Sequence, residues 1–355
     1  MLSSTNAMLY SLKNSFVRFF VLSVGAAALT LMLVKAASVL APIPVCRGMN
    51  DLNEGGRWMR GKTIPQARVE PAVAMLDSRI YVVGGMMAGW LASNQVQVYD
   101  PLSGQWESAA PLPILVHHAG LAAIEGDLYM TGGYDDMGQM MRAEPRINQA
   151  WRYDPDGDTW TRIADMPAPR AAHASIAING LLYIVGGTGT AAREVWVYNP
   201  ATDTWDTSQR ALMPMAREHI AAVALNGQIY VVGGRWNNIN TGATEKYDPD
   251  TDTWTKLADM PTPRSTLSLA VLNGYIHAAG GEDMISGCTY AAHEVYDPDS
   301  DTWTTLADMP TPRQAMGAAV VDGRWYLISG STGSARYAER GLTSLVEVFI
   351  PGEWG

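Results

Sequence analysis

Three observations predict an all-β fold, a six-bladed β-propeller with four antiparallel strands in each blade. A Gly-Gly pair closes an apolar run at a pitch of about fifty residues. Each pair is followed by an aromatic residue and then by a Trp, and the spacings between these marks are nearly constant. A repeat of this length made of strand-like segments indicates a propeller, so one closed domain accounts for most of the 355 residues.

The spacings define the six repeats. The glycine pairs are Gly84 and Gly85, Gly132 and Gly133, Gly186 and Gly187, Gly233 and Gly234, Gly280 and Gly281, and the degenerate Ser329 and Gly330. Sixteen positions before the first member of each pair stands the residue that opens the repeat: Arg68, Val116, Arg170, Arg217, Arg264 and Arg313. In five repeats a Tyr precedes the Trp by seven residues. Fixed lengths on each side indicate short, packed turns.

Each repeat contains two predicted hairpins. In the fourth repeat, AAVALNGQIYVVGG fits two strands around a tight Asn226-Gly227 turn. The segment TEKYDPDTDTWTKLADMP fits a second hairpin, because Pro and Asp favour its turn geometry. The glycine pair ends the second strand, where the lack of side chains lets neighbouring backbone approach closely. Tyr and Trp then supply apolar area between the sheets.

The sixth repeat is incomplete, and the start of the repeat region can complete it. Ser329 replaces Gly, Phe349 replaces Tyr, and Trp354 stands one residue before the end of the sequence. Trp58 has no glycine pair before it, yet it lies ten residues before Arg68, the usual Trp-to-opening spacing. We therefore expect the strand near Trp58 to lie beside the strand near Phe349 and to close the propeller, which hides a free sheet edge.

Residues 1–57 differ in composition from the repeats. An uncharged apolar run over residues 19–34 follows Lys13 and Arg18, and its sixteen residues are short for a membrane span but suit a signal peptide. Residues 1–36 are interpreted as a cleaved signal peptide or as a retained membrane anchor. Both interpretations place the repeats outside the cytoplasm, secreted or periplasmic, because positive charge before the run favours an inside N-terminus. Residues 37–57 are predicted to be a linker and residues 58–355 the propeller.

The charge and the cysteine content limit which binding partners and which disulfide bonds are expected. The net charge of −10, without runs of like charge, argues against nucleic acid and against membrane contact other than through the N-terminal segment. Two cysteines, Cys46 and Cys288, exclude a disulfide framework, and one bridge between them stays open if the domain is exported. No cofactor is predicted, and a monomer is expected.

The segments IYVVGG, VYDP, DTW and MPTPR resemble the kelch motif, and the resemblance runs from Trp58 to Trp354. It implies a β-propeller in which the first strand of each blade lines a central channel. The chain does not resemble the intracellular kelch adaptors that carry a BTB domain. Because propellers are scaffolds, function has to be argued from the loops.

The loop between the glycine pair and the aromatic residue is the interval that varies most, from eleven to twenty residues. Strand direction alternates, so these loops and the turns between blades emerge on one face. Variation concentrated there predicts a binding surface for a protein, peptide or glycan. The predicted binding residues in these loops are Tyr134, Arg235, Trp236, Arg336 and Tyr337.

The opening residues of the repeats allow two interpretations. Arg68, Arg170, Arg217, Arg264 and Arg313 occupy five of six equivalent positions. A structural Arg there would bond to carbonyl groups of the adjacent blade. A functional Arg would join a ring of guanidinium groups round the channel mouth, which would suit a carboxylate or phosphate ligand.

The residues directly after the opening position differ between repeats. His117 and His118 follow the second opening residue, and Glu218 and His219 follow the fourth, so these four join the predicted binding surface. No metal site is expected from His117, His118 and His219, because adjacent residues on a strand point to opposite faces.

A carbohydrate-active enzyme is the alternative function. The kelch family includes bacterial sialic-acid mutarotases, and this resemblance implies Glu218 or His219 as an acid–base group in a pocket at the channel mouth. The family also includes a copper radical oxidase of sugars with a Tyr–Cys crosslink, for which Cys288 and Tyr290 lie close in sequence. A binding module without catalysis is preferred.

Deletion of residues 57–66 tests the predicted closure. It should lower the melting temperature far more than removal of Trp354 and Gly355, because it takes away a whole strand of the sixth sheet. Thermal unfolding of both truncated chains beside the full chain measures the difference, and equal melting temperatures would refute the predicted closure.

Overall fold

The computed structural model describes residues 44–46, 55–135, 146–206 and 208–352. The predicted signal peptide or anchor over residues 1–36 lies outside the described residues, as does most of the predicted linker.

The first strands are β1 (Val45–Cys46), β2 (Gly56–Arg60), β3 (Ala72–Leu76), β4 (Arg79–Val83), β5 (Met86–Met87), β6 (Leu91–Ala92), β7 (Val96–Asp100), β8 (Gln105–Ala109), β9 (Gly120–Ile124), β10 (Asp127–Thr131), β11 (Ala150–Asp154), β12 (Thr159–Ile163), β13 (Ala174–Ile178), β14 (Leu181–Val185), β15 (Trp196–Asn199) and β16 (Thr204–Asp206).

The second half of the chain continues in the same way. Its strands are β17 (Ala221–Leu225), β18 (Gln228–Val232), β19 (Arg235–Trp236), β20 (Ile239–Asn240), β21 (Thr244–Asp248), β22 (Thr253–Lys256), β23 (Ser268–Leu272), β24 (Tyr275–Ala279), β25 (Glu282–Asp283), β26 (Cys288–Tyr290), β27 (His293–Asp297), β28 (Thr302–Thr305), β29 (Gly317–Val321), β30 (Arg324–Ile328) and β31 (Val346–Pro351). A 3-10 turn over Ala335–Tyr337 and a short helix α1 over Ala338–Gly341 lie between β30 and β31.

The described strands form six antiparallel sheets of four strands each. They are sheet 1 (β3-β4-β7-β8), sheet 2 (β9-β10-β11-β12), sheet 3 (β13-β14-β15-β16), sheet 4 (β17-β18-β21-β22), sheet 5 (β23-β24-β27-β28) and sheet 6 (β29-β30-β31-β2). The prediction of an all-β chain is confirmed, and so are two hairpins in each of the first five repeats. The remaining short strands all lie before the first sheet or in the loops between second and third strands.

Sheet 6 combines the two ends of the repeat region. β2 pairs antiparallel with β31, and Trp58 lies opposite Phe349, as the sequence predicts. Their ring centroids are 5.1 Å apart, so the two aromatic residues also pack on each other. Trp354 lies outside the described residues.

The hydrophobic core lies between neighbouring sheets. Six apolar clusters each combine side chains from two adjacent sheets, and one of them joins sheet 6 to sheet 1. In that cluster the rings of Tyr99 and Tyr326 are 6.0 Å apart. The first strands of the sheets also contact one another in order, and β29 of sheet 6 contacts β3 of sheet 1. Because these strands are covered on both faces, they need apolar residues on both faces. Runs such as IYVV therefore lack the alternation of polar and apolar residues that a strand with one solvent-exposed face shows.

The glycine pair is required where one repeat meets the next. Gly233 has φ +63°, and a Cβ there would lie 2.7 Å from the carbonyl oxygen of Arg264. The amide of Gly234 donates to that same oxygen at 3.0 Å. In the sixth repeat, Ser329 takes the place of the first glycine at φ +60°, and its hydroxyl accepts a 2.8 Å hydrogen bond from the amide of Arg68. The pair therefore joins successive repeats through the backbone.

A hydrogen-bonded group of four residues joins neighbouring repeats on the outer strands. Tyr247 donates its hydroxyl hydrogen to Asp252 Oδ1 at 2.7 Å, and the amide of Ala211 in the preceding turn donates to the same oxygen at 3.0 Å. Trp254 Nε1 donates to the carbonyl oxygen of Ala211 at 3.0 Å. The same arrangement is built around Asp158, Asp203 and Asp301.

Replacement of Asp252 should destabilise the fold. Asp252→Ala leaves the Tyr247 hydroxyl and the Ala211 amide without their acceptor, and an unsatisfied buried donor costs about 1–3 kcal/mol. Asp252→Asn keeps one acceptor oxygen and should lose less. Chemical denaturation measures both, with the exposed Asp250→Ala in the same hairpin as the control. A loss for Asp250→Ala equal to that for Asp252→Ala would contradict the assigned role.

Two histidines are buried between sheets 5 and 6. His277 Nδ1 lies 3.0 Å from His293 Nε2, and Phe349 and Trp325 pack against the pair. Burial lowers the pKa of His277 to about 3 and holds that of His293 well below its ordinary value. Both imidazoles are therefore neutral in the folded protein at pH 7.

The pair should make the protein sensitive to acid. An unfolded histidine takes up a proton near pH 6.5, so stability is lost as the pH falls below that value, by about 2 kcal/mol per histidine at pH 5. Denaturation of the full chain at pH 7 and pH 5 measures the loss. In the double variant His277→Leu/His293→Leu the loss should shrink but persist, because burial also lowers the pKa of His118 and His173. An unchanged loss in the double variant would contradict this explanation.

Candidate functional site

Six backbone hydrogen bonds connect the turns between repeats in a cycle. The residues involved stand two positions after each opening residue and have left-handed φ between 50° and 56°. Each amide donates to the carbonyl of the equivalent residue in the preceding repeat at 2.9–3.2 Å, and the amide of Glu70 donates to Ala315. We call these six residues the hub: Glu70, His118, Ala172, His219, Thr266 and Ala315.

A cavity of about 130 Å³ lies at the hub and is lined by all six hub residues and by the residue after each. Pockets that bind drug-sized molecules span roughly 300–1,000 Å³. The cavity by itself has room for water or an ion, and a second cavity of about 200 Å³ shares Pro71, Ala119 and His173 with it.

Three hub residues bring titratable groups together. Glu70 Oε1 lies 3.7 Å from His118 Nε2 and 3.9 Å from His219 Nε2. The two imidazole centroids are 5.0 Å apart and perpendicular within a few degrees, at 86°. The other hub residues are two alanines and a threonine, so the titratable side chains of the hub come from three of the six repeats.

Burial dominates the electrostatics of this cluster. It raises the pKa of Glu70, while His219 and Arg235 act in the opposite direction. It also lowers the pKa of His118 well below its ordinary value, and the neighbouring His117, His219 and Arg235 add to that effect. The cluster therefore favours a neutral His118 beside a carboxyl group that is partly shielded from water.

Arg235, Glu218 and Glu282 form an ion-pair network next to His219. Arg235 Nε lies 3.1 Å from Glu218 Oε1, and Arg235 Nη1 lies 2.5 Å from Glu282 Oε1. Arg235 Nη2 is 3.2 Å from His219 Nε2. Although burial by itself raises the pKa of Glu218, His219 and Arg235 bring it down to about 2. Glu218 is thus ionised at neutral pH, so of the acid–base roles considered for a mutarotase-like enzyme it fits that of a base and not that of an acid.

His117 and His118 take different positions, as expected of adjacent residues. His117 is buried and stacks on Tyr134, with ring centroids 5.3 Å apart, while His118 lies at the cavity. Their Nδ1 atoms are 2.5 Å apart. Tyr134 in turn contacts Thr188 of the next repeat through its hydroxyl at 3.2 Å. His117 and Tyr134 therefore hold His118 rather than face the cavity.

The interpretation of the opening arginines as a ring at the channel mouth is corrected. All five side chains are buried, with at most 1% of their surface exposed: Arg68, Arg170, Arg217, Arg264 and Arg313. They bond to backbone carbonyl groups of their own repeats, and not of the adjacent blade as the structural interpretation expects. Their second partner is the residue two positions before the aromatic of the third strand.

That second partner changes from repeat to repeat. Arg217 pairs with Glu245 at 2.6 Å and Arg313 with Glu347 at 2.9 Å, and Arg264 pairs with Glu294. Arg68 bonds to Gln97, and Arg170 lies over the ring of Trp196 at 3.6 Å. Without a carboxylate partner, burial lowers the pKa of Arg68 to about 10 and that of Arg170 to about 9.

Several predicted loop residues are separated by the structure. Arg235 is buried in the ion-pair network, whereas its neighbour Trp236 is 43% exposed. Trp236 lies opposite Ile239 in the hairpin β19-β20, and Ile239 is 65% exposed. Tyr337 lies in the 3-10 turn before α1. The side chain of Arg336 is outside the described residues.

Cys46 and Cys288 form a disulfide, with Cα atoms 5.3 Å apart. β1 runs parallel to β26, with Val45 opposite Thr289, so the segment before the repeats is tied to the loop of the fifth repeat. The sulfur of Cys288 is therefore not free for the Tyr–Cys crosslink of a copper radical oxidase. None of the described helices is both long and apolar enough for a membrane crossing.

The sequence analysis missed Glu70. The residue occupies the same position as His118 and His219, two places after the opening residue, and an alignment of the six repeats by that residue would have grouped the three. Glu282 lies in the variable loop of the fifth repeat, and no local pattern marks it as the partner of Arg235.

Two family profiles match the chain. The profile described as the KLHDC2/KLHL20/DRC7 Kelch-repeats domain covers residues 54–234, about half of the chain. The Kelch motif profile matches residues 216–261 and 263–310.

Curated relatives are similar over part of the repeat region. Kelch-like protein 35 of Mus musculus is 29% identical over 148 residues, which are 41% of this chain and 24% of that protein. Beta-scruin of Limulus polyphemus is 28% identical over 150 residues, 42% of this chain and 16% of that protein. Kelch-like protein terF of Aspergillus terreus is 29% identical over 156 residues, 39% of this chain and 33% of that protein. The chain thus spans at most a third of the length of these relatives.

Proposed function

Because the chain belongs to the kelch-repeat family, whose repeats generally mediate protein–protein interaction, we propose that it is a protein-binding module that acts outside the cytoplasm. Its six sheets form one closed six-bladed propeller. The loops between second and third strands carry the surface that binds a protein or peptide.

Three contacts support closure of the propeller. The hub amides are bonded in a cycle, in which Glu70 of the first repeat bonds to Ala315 of the sixth. Sheet 6 contains β2 from the start of the repeat region together with β31 from its end. Apolar side chains of sheets 6 and 1 share one cluster, like every other pair of neighbours.

The exposed hairpin β19-β20 is the observation that carries the binding proposal. Trp236 and Ile239 form a cross-strand pair on its surface, and Asn240 Nδ2 donates to the carbonyl oxygen of Glu282 at 2.7 Å, which fixes the hairpin on the next loop. Two other loops of this type expose large apolar side chains, Leu91 at 49% and Ile285 at 65%. Aromatic side chains held on a rigid element make effective anchors for a protein partner.

The disulfide between Cys46 and Cys288 supports a location outside the cytoplasm, because disulfides persist in oxidising compartments. The signal peptide or anchor over residues 1–36, attachment to a membrane and the monomeric state remain predictions. A glycan ligand also remains a prediction.

Selection of peptides from a random display library on the immobilised full chain tests the proposal. Enriched peptides should lose at least about tenfold in affinity for the variant Trp236→Ser/Ile239→Ser, because exposed anchors carry most of the binding energy of an interface. The control variant is Leu102→Ser: Leu102 is 97% exposed but lies in the turn between third and fourth strands, at the opposite end of sheet 1. No enrichment, or equal affinity for both variants, would count against the loop surface.

A further inference from the structure

We propose that Glu70, His118 and His219 bind a divalent first-row transition-metal ion, with Zn²⁺ as the fitting probe, at the centre of the hub. Its ligands lie outside the loop surface described above, although Arg235 at the start of hairpin β19-β20 contacts His219. Each ligand comes from a different repeat: the first, the second and the fourth.

The distances suit a shared ion. One ligand atom from each residue lies within 4.8 Å of the other two, and Glu70 Oε1 is 3.7 Å and 3.9 Å from the two Nε2 atoms. Ligand atoms about 2.1 Å from a tetrahedral Zn²⁺ are about 3.4 Å apart. Small side-chain rotations therefore bring all three atoms to coordination distance, while the hub hydrogen bonds hold the backbone in place.

Each histidine has a polar neighbour at Nδ1, and that of His118 is within hydrogen-bond distance. His219 Nδ1 lies 3.6 Å from Glu218 Oε1, and His118 Nδ1 lies 2.5 Å from His117 Nδ1. A partner on Nδ1 fixes the orientation of the ring and leaves Nε2 for the metal. In both residues it is Nε2 that faces Glu70.

The charges around the site also favour a cation. Three carboxyl groups, those of Glu70, Glu218 and Glu282, lie around one guanidinium group, that of Arg235. Arg235 Nη2 lies 3.2 Å from His219 Nε2, the atom that the metal needs. Because Arg235 keeps two carboxylate partners, it can give up this third contact when a metal binds.

Three protein ligands leave part of the coordination sphere open towards the cavity. The cavity of about 130 Å³ has room for water molecules, each of which occupies about 30 Å³. Two imidazoles and a carboxylate with an open position are a known ligand set for zinc. The fourth ligand of this site is water or a small anion.

Isothermal titration of the EDTA-treated full chain with ZnCl₂ tests the site. One equivalent should bind, and Glu70→Gln and His219→Gln should each weaken binding at least about 100-fold, since even loss of a supporting partner costs 10–100-fold. Glu218→Gln changes a neighbour of a ligand rather than a ligand, so it should weaken binding by only about 10–100-fold. Glu107→Gln, at an exposed carboxylate paired with Arg79, should bind like the unmodified chain. Thermal unfolding without metal shows whether each variant is folded.

X-ray absorption at the zinc edge of the unmodified complex reads the ligands directly, whether or not a variant folds. Two imidazoles with oxygen ligands are expected. The proposal is overturned by the lack of saturable binding, by Glu70→Gln binding as tightly as the unmodified chain, or by a ligand set with fewer than two imidazoles.

Discussion

The cycle of hub hydrogen bonds is the constraint on which the rest of the structure depends. Six residues adopt the same left-handed backbone conformation, and each bonds to its equivalent in the next repeat. Only four-stranded units of equal shape and tilt can satisfy all six bonds together. This requirement explains why the distance from the opening residue to the glycine pair is sixteen in every repeat, whereas the loops beyond the pair vary in length.

The same constraint separates structural from functional positions within a single turn. The opening arginine points into the sheet layer, where it bonds to carbonyl groups and to a partner on the third strand. Two residues later the hub residue points to the cavity. A charged side chain at the first position is desolvated and has to be compensated by Glu, Gln or Trp, while the second position tolerates Ala, Thr, His or Glu. Chemical variety is therefore possible at the hub at little cost to the fold.

Charged side chains from neighbouring repeats are concentrated around Arg235. Arg235 is held between Glu218 of its own repeat and Glu282 of the next, and it contacts His219, which lies 3.9 Å from Glu70. Buried charges of this kind are stable only when each of them has a partner. The exposed hairpin at Trp236 begins at the same Arg235, so the loop surface and the cavity share one anchoring residue.

The sequence by itself determined the repeat, the two hairpins in each unit, the glycine pairs and the partner of the strand at Trp58. The first three depend on local backbone preferences and on the alternation of apolar residues, which act over a few positions. The partner of the strand at Trp58 follows from the incomplete sixth repeat and from the ten-residue spacing between Trp58 and Arg68. Only the tertiary structure decided that the opening arginines are buried, that Cys46 meets Cys288, and that Glu70 joins His118 and His219. Those contacts connect residues from different repeats, and no local pattern records which side of a turn faces the centre once all six repeats are bonded together.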